Sequence, residues 1–273
     1  MIQTVKGLVL RNVKYGESDK LVTVLTEEGK KFFKARGIRS ITSKNAAGCG
    51  SFVYSEFVLD VKGDKCYLRK ATPLYSVVRA GASLSALALA SYFAELAEDT
   101  ARDAETGKSV LHLLMNALYL VAKEDRPTDL VKAVFEMRLL AANGLMPSLE
   151  SCSQCEKGSD GEETLFFRFL EGDLVCRDCL SSADANYIRV SPALIRLCRH
   201  SLESGEEKAY ALKVPPSLLK EFSRLAEKFL LHQMERKYAT LDFYREICGL
   251  APMEAVSEEE NKANNKEEKN ETL

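Results

Sequence analysis

The chain has 273 residues, 46% of them hydrophobic and 29% charged, a soluble globular balance suited to two domains or to one domain with insertions. Its net charge of −2 hides an asymmetry: residues 1–80 carry fifteen Lys and Arg against seven Asp and Glu, while residues 81–250 and 251–273 are both net acidic. Met1 to Leu10 lacks the charged start and apolar run of a secretory signal, and the apolar stretch from Leu84 to Ala97 is too short and too interrupted to span a bilayer, so a cytoplasmic chain is expected.

The first eighty residues read as strands. Gln3 to Asn12 and Leu21 to Thr26 are rich in β-branched and aliphatic residues and flank turn material at Lys14 to Asp19. Lys31 to Ala35 follows a turn at Glu28-Gly29, and Phe52 to Val61 ends at the hairpin signal Lys62-Gly63-Asp64. Cys66 to Arg69 and Leu74 to Val78 supply a last strand that Pro73 is expected to break. About five strands with no room for crossover helices predict a small antiparallel barrel.

After Gly81 the period becomes helical. Leu84 to Leu96, Val110 to Val121 and Leu130 to Leu139 predict three helices, the third stopped by Asn143-Gly144 and Pro147. Helices resume after Ser191-Pro192 and again near Pro216. The last stretch, 251–273, has almost no apolar content and is expected to be a disordered acidic tail. Such a tail serves solubility or competes with nucleic acid for the basic barrel.

Between the third and fourth helices, over 149–181, stand two Cys-x-x-Cys knuckles, Cys152–Cys155 and Cys176–Cys179, twenty residues apart. Each knuckle offers two thiolates from one tight turn, and the pair makes the donor set of a tetrahedral zinc. Four protein ligands leave no open position for water or substrate, so the expected Zn²⁺ is structural. Leu165 to Leu170, a turn at Glu171-Gly172-Asp173 and Leu174-Val175 predict a zinc ribbon, a hairpin too small to bury a core of its own. Cys49, Cys66, Cys198 and Cys248 lack a pattern and read as free, partly buried thiols.

Lys30, Lys31, Lys34, Arg36, Arg39 and Lys44 fall within fifteen residues and are interleaved with Phe32 and Phe33; Arg11, Lys14 and Lys20 extend the patch. Cations neutralise phosphates and aromatic faces stack unpaired bases, so salt-sensitive nucleic-acid binding without base reading is expected. A solvated lysine-rich surface gives the same count. Phe32 and Phe33 are consecutive and must face opposite sides of a strand, so at least one belongs to the core. Catalysis finds little support: His112, His200 and His232 are scattered, and there is no phosphate-binding glycine loop, Gly-x-Ser-x-Gly or His-Glu-x-x-His. Glu162-Glu163 reads as a solvated loop pair.

The order of parts resembles the RecO family of bacterial recombination mediators. The resemblance runs from about residue 2 to 248 through Gly7-Leu8-Val9-Leu10-Arg11, Tyr15-Gly16-Glu17-Ser18-Asp19 and Ala35-Arg36-Gly37. It continues with Phe135 to Leu140, Gly144 and Pro147 ahead of the first knuckle. It implies an α+β chain: an N-terminal oligonucleotide-binding (OB) barrel over 1–80 and an α-helical domain over 81–250 carrying the zinc ribbon. It also implies a non-enzymatic protein that binds single- and double-stranded DNA, anneals complementary strands and engages RecR. Such proteins recognise the C-terminal tail of single-stranded-DNA-binding protein (SSB) and help load RecA, with RecF as a further functional partner. Lys132 and Arg138 on the third helix are candidate partners for that acidic tail, or ordinary surface cations. The competing reading is an RNA-binding or transcription-associated protein built from an OB barrel and a zinc ribbon.

Overall fold

Alternation of inward and outward residues sets the first part of the molecule, up to Ser76. In this computed structural model, which describes residues 1–78, 81–101, 103–159, 165–181 and 186–250, five strands close into a barrel. They are β1 (Ile2–Tyr15), β2 (Asp19–Thr26), β3 (Gly29–Ala35), β4 (Val53–Lys62) and β5 (Lys65–Ser76), in the spatial order β1-β2-β3-β5-β4. The long β1 pairs antiparallel with β4 from Ile2 to Leu8 and with β2 from Gly7 to Tyr15. A parallel contact at Lys34 and Tyr67, between β3 and β5, shuts the cylinder.

The barrel encloses its own core, with Val9, Val22, Val24, Phe33, Phe57 and Leu59 at its centre. Leu8, Leu10 and Leu25 are also buried but belong to a second core, shared with the helices. This two-sided burial explains why β1 carries four consecutive buried residues at Gly7–Leu10, where one face would give strict alternation. β5 differs from expectation by running unbroken through Pro73. Pro73 sits opposite Ser55 beside a register shift, an irregular point of the ladder where proline is tolerated.

The helices follow as α1 (Leu84–Thr100), α2 (Ala104–Lys123) and α3 (Thr128–Ala142). After them come α4 (Pro192–Glu203), α5 (Glu206–Tyr210), α6 (Pro216–Met234) and α7 (Ala239–Cys248). Ser83 caps α1 through the Ala86 amide, Asp103 and Thr106 form a capping box on α2, and Ser191 caps α4 ahead of Pro192. Phe93 of α1 stacks on Phe135 of α3 with ring centroids 4.1 Å apart.

The barrel meets the helices backbone to backbone. A Cβ on Gly107 of α2 would lie 2.4 Å from the Gly29 nitrogen, and one on Gly29 (φ +93°) 2.8 Å from the Asp103 carbonyl oxygen. Only glycine fits at both positions. Lys30 adds a hydrogen bond from Nζ to the Glu98 carbonyl near the C-terminal end of α1, at 2.5 Å.

Three short strands lie between α3 and α4: β6 (Leu165–Arg168), β7 (Asp173–Cys176) and β8 (Tyr187–Val190), in the order β7-β6-β8. The hairpin expected from sequence is there, widened by a third strand. It is not without a core, because Phe167 and Phe169 are fully buried and Phe167 packs edge-on against Phe229 of α6. Gln233 of α6 also donates to the Phe169 carbonyl. The Glu162-Glu163 pair and the tail at 251–273 lie outside the described residues.

Candidate metal centre and nucleic-acid interface

The two knuckles come together as their spacing predicts. The sulfurs of Cys152, Cys155, Cys176 and Cys179 all lie within 4.8 Å of one another. Cys155 Sγ and Cys176 Sγ are 3.7 Å apart, the edge of a tetrahedron with metal–sulfur bonds of about 2.3 Å. A bridge between Cys152 and Leu174 and a turn from Cys176 to Cys179 fix the two knuckles. Burial resists ionisation of Cys152, yet amides of Cys176, Cys155 and Gln154 directed at its sulfur bring the thiol down to about 6. Cys179, hydrogen-bonded first to Cys176, is pushed up to about 12. Crowded thiols cannot all ionise beside one another, and a divalent cation removes that conflict. The donor set and its spacing therefore fit zinc.

Of the remaining cysteines, Cys49 and Cys198 are buried and desolvation raises both thiols to about 12, as inert packing residues should behave. Cys248 differs from expectation: it is exposed at the end of α7. His112, His200 and His232 fall on α2, α4 and α6, far apart in the chain.

The barrel cations divide into two groups. At the β1–β2 turn, Lys34 forms an ion pair with Asp19 at 2.9 Å and lies over the Tyr15 ring at 4.4 Å. Arg36 stacks over Tyr67 at 4.3 Å, and Arg39 donates to the Glu17 carbonyl at 2.6 Å, holding the same turn. Asp19 is held down to about 2 by the Lys34 ammonium first and by the Gly37 amide second, so it stays ionised as the anchor of this cluster. Lys14 stands on the adjoining strand, exposed and opposite Lys20, whose ammonium bonds Asn12. Arg11 is likewise exposed on β1.

Lys30 and Lys31 are elsewhere. Lys30 is held by α1, and Lys31 forms an ion pair with Glu28 at 3.1 Å. Lys44 is exposed in the loop that Asn45 ties to β5 through the Ala71 amide. Among the described residues Arg11, Lys14 and Lys44 make no ion pair. Phe33 is core and Phe32 is 56% exposed, so the outward face of β3 reads Lys30, Phe32, Lys34. Sequence reasoning missed the aromatic partners Tyr15 and Tyr67. Tyr15 closes the first strand beside the turn, but Tyr67 reaches Arg36 only through the barrel closure, which no local pattern encodes.

Lys132 is neither a partner for an external tail nor a surface cation. It is 2% exposed and enclosed by its own chain's carboxylates, Glu136 at 2.8 Å and Glu227 at 2.7 Å. Tyr92 donates to Glu136, and Arg245 of α7 holds the far side of Glu227 at 2.6 Å. Desolvation opposes charge on Lys132, but the two carboxylates prevail and its pKa is raised; burial likewise raises Glu136, to about 7. No external acidic tail can reach this lysine. Arg138 is half-buried and donates to the Ser204 carbonyl.

A closed five-stranded barrel with a cationic, aromatic-flanked end, joined to helices that carry a four-cysteine cluster, defines a two-part protein of the OB-barrel class. Profiles described as "Recombination protein O N terminal" and "Recombination protein O C terminal" match residues 1–76 and 81–242. The chain is similar to proteins named DNA repair protein RecO. That of Acetivibrio thermocellus is 27% identical, over 88% of this chain and 95% of that protein. That of Alkaliphilus metalliredigens is 29% identical over 90% and 100%, and that of Myxococcus xanthus 33% over 88% and 96%. The chain belongs to the RecO family of DNA repair proteins. Among the described residues no helix is long and apolar enough to cross a membrane.

Proposed function

We propose that the chain is a DNA recombination mediator without turnover. It binds single- and double-stranded DNA through the barrel, anneals complementary strands, and with RecR helps load RecA onto SSB-coated single strands. The observation that carries this reading is the cation cluster at the β1–β2 turn, where Lys34 and Arg36 lie over Tyr15 and Tyr67 beside exposed Lys14 and Arg11. Ammonium and guanidinium groups take phosphates and release counterions, and the neighbouring rings give splayed bases a face to stack on. Lys30, Lys31 and Lys44 add to the positive field around β3 without joining the cluster. Two strands held by their backbones on such a surface keep their base edges free, which is what annealing requires.

One structural zinc on Cys152, Cys155, Cys176 and Cys179 braces the sheet that abuts α6. The domain division at residue 80 keeps DNA on the barrel and leaves the helical domain for the SSB tail and RecR. RecF and RecA are functional partners in the same pathway. The test is strand annealing with SSB-coated oligonucleotides, with and without a peptide of the SSB tail. Annealing that the peptide inhibits supports the reading. A chain that binds RNA but neither anneals DNA nor responds to the peptide would replace it with an RNA-binding role.

A further inference from the structure

A cavity of about 640 Å³ lies between the barrel and α2. Its barrel wall is Tyr54 and Tyr75, cross-strand neighbours on β4 and β5 whose rings stack with centroids 5.2 Å apart. Its helical wall is Lys108, His112, Asn116 and Tyr119. Tyr75 and Tyr119 are each 52% exposed, unusual for large aromatic rings at a junction between two packed cores. Lys108 makes no ion pair among the described residues. Asn116 donates through Nδ2 to Glu206 at 2.5 Å and shares a hydrogen bond with His112, which fixes its amide and leaves the carbonyl oxygen without a partner among the described residues. Glu27, from the β2–β3 turn, closes the rim two residues before the cationic β3 strand.

We propose that this cavity receives unpaired nucleobases of a single strand that the barrel holds by its phosphates. The inference rests on the nucleic-acid reading of the barrel and adds a base-binding site to it. Tyr54 backs Tyr75 and is itself packed against the helical core, and Lys123 lies over one side of the Tyr119 ring at 4.7 Å, so the exposed rings of Tyr75 and Tyr119 are the two stacking platforms, indifferent to base identity. Lys108 and Lys123 are balanced by Glu27 and Glu206, which suits a neutral base and disfavours a phosphate. The fixed Asn116 amide and the His112 ring meet the polar edge of an extruded base. The volume falls within the ~300–1,000 Å³ of small-molecule sites, so one or two nucleosides fit. A duplex cannot enter, because its bases are stacked and paired. The site therefore discriminates single from double strands, which phosphate contacts alone cannot do.

The test uses the full chain with oligo(dT) containing 2-aminopurine, an abasic deoxyribose-phosphate oligomer, and a duplex. Tyr75→Ala and Tyr119→Ala should each weaken oligo(dT) binding about tenfold, as loss of one stacking partner does, and should diminish 2-aminopurine quenching. Both variants should bind the abasic oligomer and the duplex as the unmodified chain does, and Tyr75→Phe should restore the affinity. Unchanged oligo(dT) binding by both alanine variants, while Lys34→Glu weakens it, would overturn the base site and leave the barrel reading standing. Equal loss on the abasic oligomer would overturn it too, since the tyrosines would then act through the fold. If Lys34→Glu also binds normally, both readings fall.

Discussion

The barrel and the cysteine-bearing sheet are both small antiparallel structures, and they solve the same problem in opposite ways. The barrel closes on itself, so five strands bury Val9, Val22, Phe33 and Phe57 with no help from outside. The three strands of β6–β8 cannot close. They pass Phe167 and Phe169 into the helical core against α6 and tie their open end with four cysteines. A sheet below a certain size thus needs either closure or a staple together with a neighbour.

The sharpest way to break the comparison is at the staple. Cys176→Ser should abolish zinc binding and cost a large part of the ~10–16 kcal/mol that such ions contribute in isolated modules, the rest being retained by the α6 packing. Metal content by mass spectrometry and the melting temperature read both effects; full zinc occupancy with an unchanged melting temperature would refute the site. Phe57→Ala should cost ~3–5 kcal/mol in the barrel and leave zinc stoichiometry intact, because its core is separate. Denaturant unfolding followed beside zinc release distinguishes the two.

A smaller effect sharpens the functional side. Lys34→Glu, Arg36→Glu and Arg39→Glu together should weaken single-strand binding and flatten log K against log salt by about two units of slope. Titrations at two salt concentrations check this, and the zinc should remain bound. The smallest effect is a pH response at Asp19. Its folded pKa of about 2 lies below the unfolded value, so its tie to Lys34 and Gly37 is fully present above pH 4 and lost as pH falls toward 2. The Gly37 amide resonance should titrate with that midpoint, and Asp19→Asn should remove the transition.

Legibility in the sequence followed how local each signal was. The five barrel strands, the helices capped by Ser83 and Ser191 and the cysteine knuckles each announce themselves within a dozen residues. β8 is illegible in sequence because four residues with one buried position carry no period, and α7 because only Leu241 and Tyr244 are buried on it. Pro73 misleads because its tolerance depends on the extra residue Leu74 in its own strand, which only the pairing with β4 reveals. Lys132 misled for a deeper reason: its carboxylates come from α3 itself and from α6, ninety-five residues further along. The cation run near residue 30 was legible as composition, but its division between the turn cluster and the α1 contact is a property of the closed barrel.

The Gly29–Gly107 contact has a mechanical consequence. With no side chain between the two backbones, and Lys30 fastened to the end of α1, the barrel has no lubricating layer on which to swivel. A pull applied to the barrel is transmitted to the helices as to the far arm of a lever.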